Sequence, residues 1–387
     1  MAVSLAFMLT ATGLVYVLML PTALPPPPLP TPLPLSPLQL TPHDAIAIDG
    51  DANFTATALL EGWPGDGSPE NPFIIDGFEI DLGSEEGHCI FINNTRVSFI
   101  ISNCNLTGAT LAAAPAVKFV PPLRELPRSI LNVGSGIHLY NVSNGELVSN
   151  TCNNNSIGID LFYADSNTVS SNTCNNNTYS GINLWDSNSN TVSSNTCNNN
   201  TERGFYLYGS DSNIVTNNTC SSNTERGIWL SSSNSNTVAS NNCSNNTECG
   251  IYLWASNSNT VATNICNSTG NHGIFLFQSD SNTMTNNTCN NNDVGINLDE
   301  SDQNTLTNNI CTNNRIGIYI DDEPESNTVE NNTFSSNTEH DIVYESELEE
   351  LAHQEYVAKQ SVWFLAGCGM VLVVAVIAFV QFRRMKL

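Results

Sequence analysis

SNTVSSNTCNNNTYSGINLWDSN, residues 166–188, is followed at once by SNTVSSNTCNNNTERGFYLYGSD, residues 189–211. Taken alone, either stretch has the Asn/Ser/Thr richness of a solvated linker, too polar to offset the entropy of ordering. Inside it, however, Cys, Gly, Ile, Leu and Trp return at fixed places. The pair is one unit written twice, and the choice between tether and core decides the fold.

Working outward from the pair, three columns keep the same beat. Gly-Ile/Phe-x-Leu/Ile recurs at Gly136, Gly158, Gly181, Gly204, Gly227, Gly250, Gly273, Gly295 and Gly317, in steps of 22 or 23 residues. Cys152, Cys174, Cys197, Cys220, Cys243, Cys266, Cys289 and Cys311 form a second column, and Phe334 takes the next slot. Asn167, Asn190, Asn213, Asn236, Asn259, Asn282, Asn304 and Asn327 form the third. Compositional bias does not put three columns in phase. The segment is a solenoid.

A unit of this length has no helix-forming stretch, and its Asn, Ser, Thr and Gly punctuation leaves room only for short strands. Strand alternation sends Ile182, Leu184, Val192 and Cys197 inward and Asn183 and Trp185 outward. One turn buries too little to fold; stacked turns share a continuous core. The Asn column is expected at a corner, tolerating a left-handed backbone and bonding the Asn of the next rung.

GI-x-L, S-x-x-N-T-V and N-x-x-C together resemble the repeat of NosD-like, pectin-lyase-like proteins. The resemblance implies an all-β fold, a right-handed parallel β-helix with 22–23-residue rungs. Its copies cover 132–344, and GWPGDGSPENPFIIDGFEIDL (62–82) is similar to the opening that precedes such repeats in exported archaeal proteins. A cap and first rungs are expected over 43–108, interrupted by an apolar, proline-rich insertion at 109–131 that would pack on the flank or cover an end. For function the resemblance is broad, spanning lyases, hydrolases, epimerases, adhesins and the accessory protein NosD itself.

The remaining segments read as follows. Residues 1–24 are a signal peptide or a second anchor, and 25–42 a polyproline spacer. Residues 345–360 form a juxtamembrane stalk, and 361–381 are apolar enough for a C-terminal transmembrane helix. Arg383, Arg384 and Lys386 in the tail 382–387 put the C-terminus in the cytoplasm and the repeats outside the cell. The chain carries 11 Lys and Arg against 37 Asp and Glu, a formal charge of −26. That balance argues against a nucleic-acid partner, since phosphates require basic residues.

The resemblance carries a copper-binding label, but no C-x-x-C or His–Cys cluster occurs in the repeats, and His138 and His272 stand alone. No metal and no cofactor are therefore expected. Disulfides between rungs are disfavoured, because in-register side chains sit about 4.8 Å apart and bridged Cβ atoms want about 3.8 Å. One buried thiol per rung suits a narrow corner. Cys249, off the column, is the thiol to test for reactivity.

The outward positions carry the sharper signal. Between Ile and Leu lie His138, Asp160, Asn183, Tyr206, Trp229, Tyr252, Phe275, Asn297 and Tyr319. After the Leu come Tyr140, Phe162, Trp185, Tyr208, Ser231, Trp254, Phe277, Asp299 and Asp321. Trp185, Tyr206, Tyr208, Trp229, Tyr252, Trp254, Phe275 and Phe277 are the candidate ligand-binding residues. Their rings would stack on sugars; alternatively they stabilise one another across rungs, or are covered by the insertion or by a protein partner. The expected partner is polysaccharide or an envelope protein.

Paired carboxylates would support catalysis, and Asp160 with Asp165, Asp186, or Asp299, Glu300, Asp321 and Asp322 offer them. Nothing in their spacing singles out an acid and a base, so no catalytic residue is assigned. Glu202, Glu225 and Glu248 beside Arg203 and Arg226 read as a solvated ion-pair ladder. Thirteen N-x-S/T sequons, among them Asn53, Asn105, Asn141, Asn176, Asn199, Asn245 and Asn286, are candidate glycosylation sites, several of them at repeat corners where a glycan would face solvent.

Overall fold

The computed structural model describes residues 40–110, 134–321 and 326–345. The N-terminal apolar and proline-rich segments up to residue 39, the insertion from 111 onward, the stalk beyond Glu345 and the apolar run 361–381 lie outside them. Among the described residues no helix is long and apolar enough to cross a membrane.

The described chain is an all-β, right-handed parallel β-helix of about 11 turns. Each Gly-Ile-x-Leu segment is a strand of the longest sheet, which has 12 strands, all parallel and in chain order from Ile46–Asp49 to His340–Tyr344. Identical positions pair: Ile159 with Ile182, Ile182 with Phe205, Phe205 with Ile228 and Ile228 with Ile251. The N-T-V segments form a second, 11-stranded sheet in which Val169, Val192, Val215 and Val238 stack. A third face is made of short strands and single bridges that join Thr151, Thr173, Thr196 and Thr219. Apolar residues of all three faces fill the interior, and Ile182, Leu184, Val192 and Cys197 are buried as alternation requires.

Asparagine holds the corners. A single turn bends at Ser166, Ser171, Asn176 and Asp186, all with φ between 45° and 60°. The next residues, Asn167, Asn172, Asn177 and Ser187, turn inward and are buried. The left-handed position is thus one residue before the predicted Asn column, usually a Ser, while the column Asn does the bonding. Left-handed backbone suits small polar residues that bond locally, and burial suits an amide with two donors and an acceptor.

Asn195 shows the arrangement. Its Oδ1 accepts from the backbone N–H of Asn172 at 2.9 Å and from the Asn172 amide at 3.0 Å. Its Nδ2 donates to the Val169 carbonyl at 2.9 Å and to Asn218 Oδ1 at 3.0 Å. The side chain replaces the peptide pairing that the strand loses where it bends. Three such Asn columns and one Ser column (Ser187, Ser210, Ser233, Ser256, Ser279) run along the solenoid.

The repeated glycine has a packing cause. A Cβ on Gly181 would lie 2.6 Å from Cys197 Cβ and 2.8 Å from the Gly204 carbonyl. Gly and Cys therefore form one tight corner, and the column thiols are free and fully buried.

The N-terminal end is closed by helix α1, Asp51–Glu61. Phe54 enters the core beneath it, stacked on Phe73 at 5.1 Å and beside Phe99 at 5.3 Å. Asp51 Oδ1 accepts from Thr95 Oγ1 at 2.6 Å and from the Arg96 N–H at 2.8 Å, which tethers the helix and holds that carboxyl below its usual range. The predicted opening segment wraps this end. At Gly65, φ is 104° and a Cβ would meet the Pro72 carbonyl at 2.0 Å.

Asn195→Ala removes the buried amide and strands the Asn172 N–H and the Val169 carbonyl. It is expected to cost about 2–4 kcal/mol. The exposed, left-handed Asn199→Ala is expected to cost within about 1 kcal/mol. Chemical denaturation of the two variants side by side checks the difference.

Candidate functional site

The long-strand sheet presents its outer face at two columns, as alternation predicts. Tyr140, Phe162, Trp185 and Tyr208 stack in one column, at centroid separations of 5.7, 5.9 and 4.2 Å. The contact then passes to the other column through Trp185 and Tyr206 at 6.2 Å. It continues through Tyr206–Trp229, Trp229–Tyr252 and Tyr252–Phe275 at 4.7, 5.8 and 4.9 Å. The candidate residues are therefore one continuous ring ladder.

That ladder changes what the rings offer. Planes within 9–28° of one another face along the rod, so most rings spend their faces on neighbours and turn edges outward. Mutual stacking across rungs, one of the arrangements open from the sequence, is what the rings adopt, and Trp185, Tyr206, Tyr208, Trp229 and Tyr252 are half-buried. Trp254 differs. It lies 6.3 Å from Trp229 and keeps 41% of its surface exposed.

Two arginines are built into the ladder. Arg203 lies 4.8 Å from the Tyr206 ring centre and 4.3 Å from that of Trp229. Arg226 lies 4.6 Å from Trp229 and 5.0 Å from Tyr252. The predicted ion-pair row is present: Arg203 faces Glu202 at 3.1 Å and Glu225 at 3.3 Å, and Arg226 faces Glu225 at 3.2 Å and Glu248 at 2.7 Å.

At the N-terminal end of the same face, His138 is not alone. Its Nδ1 is 2.8 Å from Asp160 Oδ2, and its ring stacks on His88 at 4.5 Å. Both partners of the pair are buried, and His138 Nε2 has no hydrogen-bond partner. Asp160 is thus paired with a histidine rather than with Asp165. The His88 contact was not visible in the repeat, because His88 precedes the insertion and falls outside the regular columns.

At the C-terminal end the ring column gives way to carboxylates. Asp299 and Asp321 come together with Glu345, and Tyr319 Oη donates to Glu345 Oε2 at 2.5 Å. Hydrogen bonding to Glu345, burial and the Asp299 carboxylate raise Asp321 to about 7. Glu345, in the predicted stalk, was not a candidate. Glu300 bonds Gln278 instead, at 2.6 Å, and Asp322 lies outside the described residues.

Cys249, off the column, resembles the column thiols. It is buried, and burial pushes its thiol up to about 12, so it has no reactive thiolate. Among the glycosylation candidates, Asn176, Asn199, Asn245 and Asn286 occupy exposed left-handed corners. Asn53 is exposed on α1, and Asn105 and Asn141 are half-buried.

A three-faced solenoid with parallel in-register strands and an aromatic outer face defines a pectin-lyase-like β-helix protein. The family profile described as "Periplasmic copper-binding protein (NosD)" matches residues 126–269 and 227–356, and the chain belongs to that family. Nothing among curated proteins matches the chain. Among solved structures it is similar to the A-module of the mannuronan C-5 epimerase AlgE4 of Azotobacter vinelandii. The TM-score is 0.52 at 14% identity, over 78% of this chain and 94% of that one. It is also similar to a mutant of the periplasmic alginate epimerase AlgG, with a TM-score of 0.50 at 14% identity, over 75% and 84%. These likenesses establish the fold.

The described residues do not fit a copper centre. Soft-metal ligation needs thiolates or imidazoles converging on one point. The column thiols stand in single file, and burial lifts Cys174, Cys243 and Cys266 well above the usual thiol range. His88 and His138 are stacked 4.5 Å apart and inclined by only 20°, so their lone pairs lie in separate, nearly parallel planes instead of converging. Among the described residues no group of three or more His, Cys, Asp or Glu is arranged to hold a metal.

Two outcomes follow. In the folded protein at pH 8, none of the described cysteines reacts with a thiol reagent, Cys249 included; denaturation exposes them. Burial and the neighbouring His138 hold His88 well below its usual value. The unfolded chain then takes up a proton below about pH 6.5 that the folded chain refuses. Stability therefore falls as pH drops through that value, by at most about 1.4 kcal/mol per unit from this ring. The exposed edge of His88 reduces that figure. His88→Gln flattens the slope in pH-dependent denaturation.

Proposed function

We propose that this chain is an exported, surface-held β-helix protein that binds polysaccharide along the outer face of its long-strand sheet. The ring ladder from Tyr140 to Phe277 carries the reading, and Trp254 is its open platform. A contiguous aromatic surface of this kind marks an interaction site, and linear polymers suit a repetitive track. The fold is shared with epimerases named for mannuronan and alginate, which is consistent with a polysaccharide partner. Export and anchoring rest on the terminal apolar segments, with the repeats outside the cell.

Replacing Trp254 by Ala should weaken binding about tenfold, the loss of roughly 1–1.5 kcal/mol of ring contact. Trp185 and Trp229 are held in the stack, so their replacement should also lower stability. Isothermal titration against a polysaccharide panel, with melting curves for each variant, separates the two effects. Unchanged affinity in Trp254→Ala overturns the assignment of the face.

A second reading has one observation in its favour. Asp321, raised to about 7, meets Asp299 and Glu345 where the ring column ends. Carboxyls whose affinities for protons are pushed apart suit acid and base roles. If this end is catalytic, incubated polymer shortens or changes its sugar configuration, and Asp321→Asn abolishes that change while binding at Trp254 persists. Polymer unchanged in length and, by NMR, in configuration leaves binding as the whole activity.

A further inference from the structure

We infer that the polymer this face recognises is uncharged, a neutral polysaccharide rather than a polyuronate. The inference rests on the polysaccharide reading above and names the class of ligand. It sets the chain apart from the structurally similar proteins named for alginate and mannuronan, both polyanions.

The argument is a charge balance at the track. A surface that binds polyanions offers guanidinium or ammonium groups free to meet incoming carboxylates. Among the described residues, the arginines of this track are already engaged. Arg203 lies against Glu202 and Glu225, and Arg226 against Glu225 and Glu248. The row holds three carboxylates to two guanidiniums, so it is acidic in sum.

Geometry fixes the arginines as well. Both lie on the Trp229 ring, at 4.3 and 4.6 Å, and each also lies on a tyrosine. Their side chains are only 18% and 19% exposed. Turning either toward a uronate would break two ion pairs and two ring contacts. The other two arginines among the described residues are engaged as well: Arg315 pairs with Asp293 and Glu339, and Arg96 bonds Asn141.

The surroundings reinforce the balance. The whole chain carries a formal charge of −26, and Asp299 and Glu345 stand together at the C-terminal end of the track. A polyanion laid along the face would meet net repulsion from these groups and from the row of Glu202, Glu225 and Glu248. Tyrosine hydroxyls and carboxylates bond sugar hydroxyls without requiring charge, and the Trp254 ring takes the apolar face of a pyranose.

The test is titration of the full-length protein with dextran, laminarin and mannan on one side and alginate and polygalacturonate on the other. Each is run at low and high salt, with and without EDTA. The expected result is binding of a neutral polymer that changes less than about twofold with salt, and no binding of the acidic polymers. Glu225→Gln removes the carboxylate shared by both arginines, and it should gain low-salt affinity for alginate that is lost at high salt.

Wild-type binding of alginate at low salt in EDTA overturns the inference. So does alginate binding that needs a divalent cation, because bridging ions would then make a polyanion the ligand. Equal affinity for both classes overturns it too. In all three cases the polysaccharide reading itself stands. Failure of every polymer to bind removes that reading and the inference with it.

Discussion

The structure depends on one contact, the buried asparagine amide that spans two rungs. Wherever the chain bends, parallel strand pairing is interrupted and backbone groups face inward without partners. An unmade bond there costs about 1–3 kcal/mol. Asn195, with one oxygen on the N–H of Asn172 and one nitrogen on the carbonyl of Val169, closes the gap. Repeated at several corners of each turn, this contact lets short strands with few apolar residues stack into a rod. The in-register sheets, the stacked thiols and the outer ring ladder all inherit their alignment from it.

Much of this was legible because a solenoid makes each constraint visible many times. Spacing alone placed the strands, the inward Ile and Leu, the buried Cys column and the outward aromatic columns. One of the Asn columns was read and two others were not, although Asn172 and Asn177 stand five and ten residues after Asn167 in the same phase. They were hidden by abundance: where Asn recurs at buried and exposed positions alike, the buried ones look like the exposed ones. Only geometry distinguishes Asn200, buried in a ladder, from Asn199, exposed at a left-handed corner.

The site was less legible than the fold. Alternation gives the face of a residue but not the tilt of a ring, so the stacking that hides most ring faces could not be read from the sequence. The His138–Asp160 pair spans consecutive rungs and is implied by register once the rungs are counted, but His88 reaches it from before the insertion. The carboxylate group at the far end depends on Glu345, which follows the last strand and belongs to no column. Where periodicity stops, so does the reach of a periodic argument.

The Gly–Cys corner leads to a different matter. Rungs of 22 and 23 residues coexist, and the shorter ones lose their residue between Cys and Gly, as in Cys289 to Gly295 against Cys174 to Gly181. On either side of that spot the register is undisturbed, with Ile274 still paired to Ile296. Length variation is therefore absorbed at one place on the perimeter. A lineage can duplicate or discard a complete rung, since every rung offers the same upper and lower contacts. The length of the solenoid, and with it the length of its outer face, is then an evolutionary variable that changes without redesign of the core.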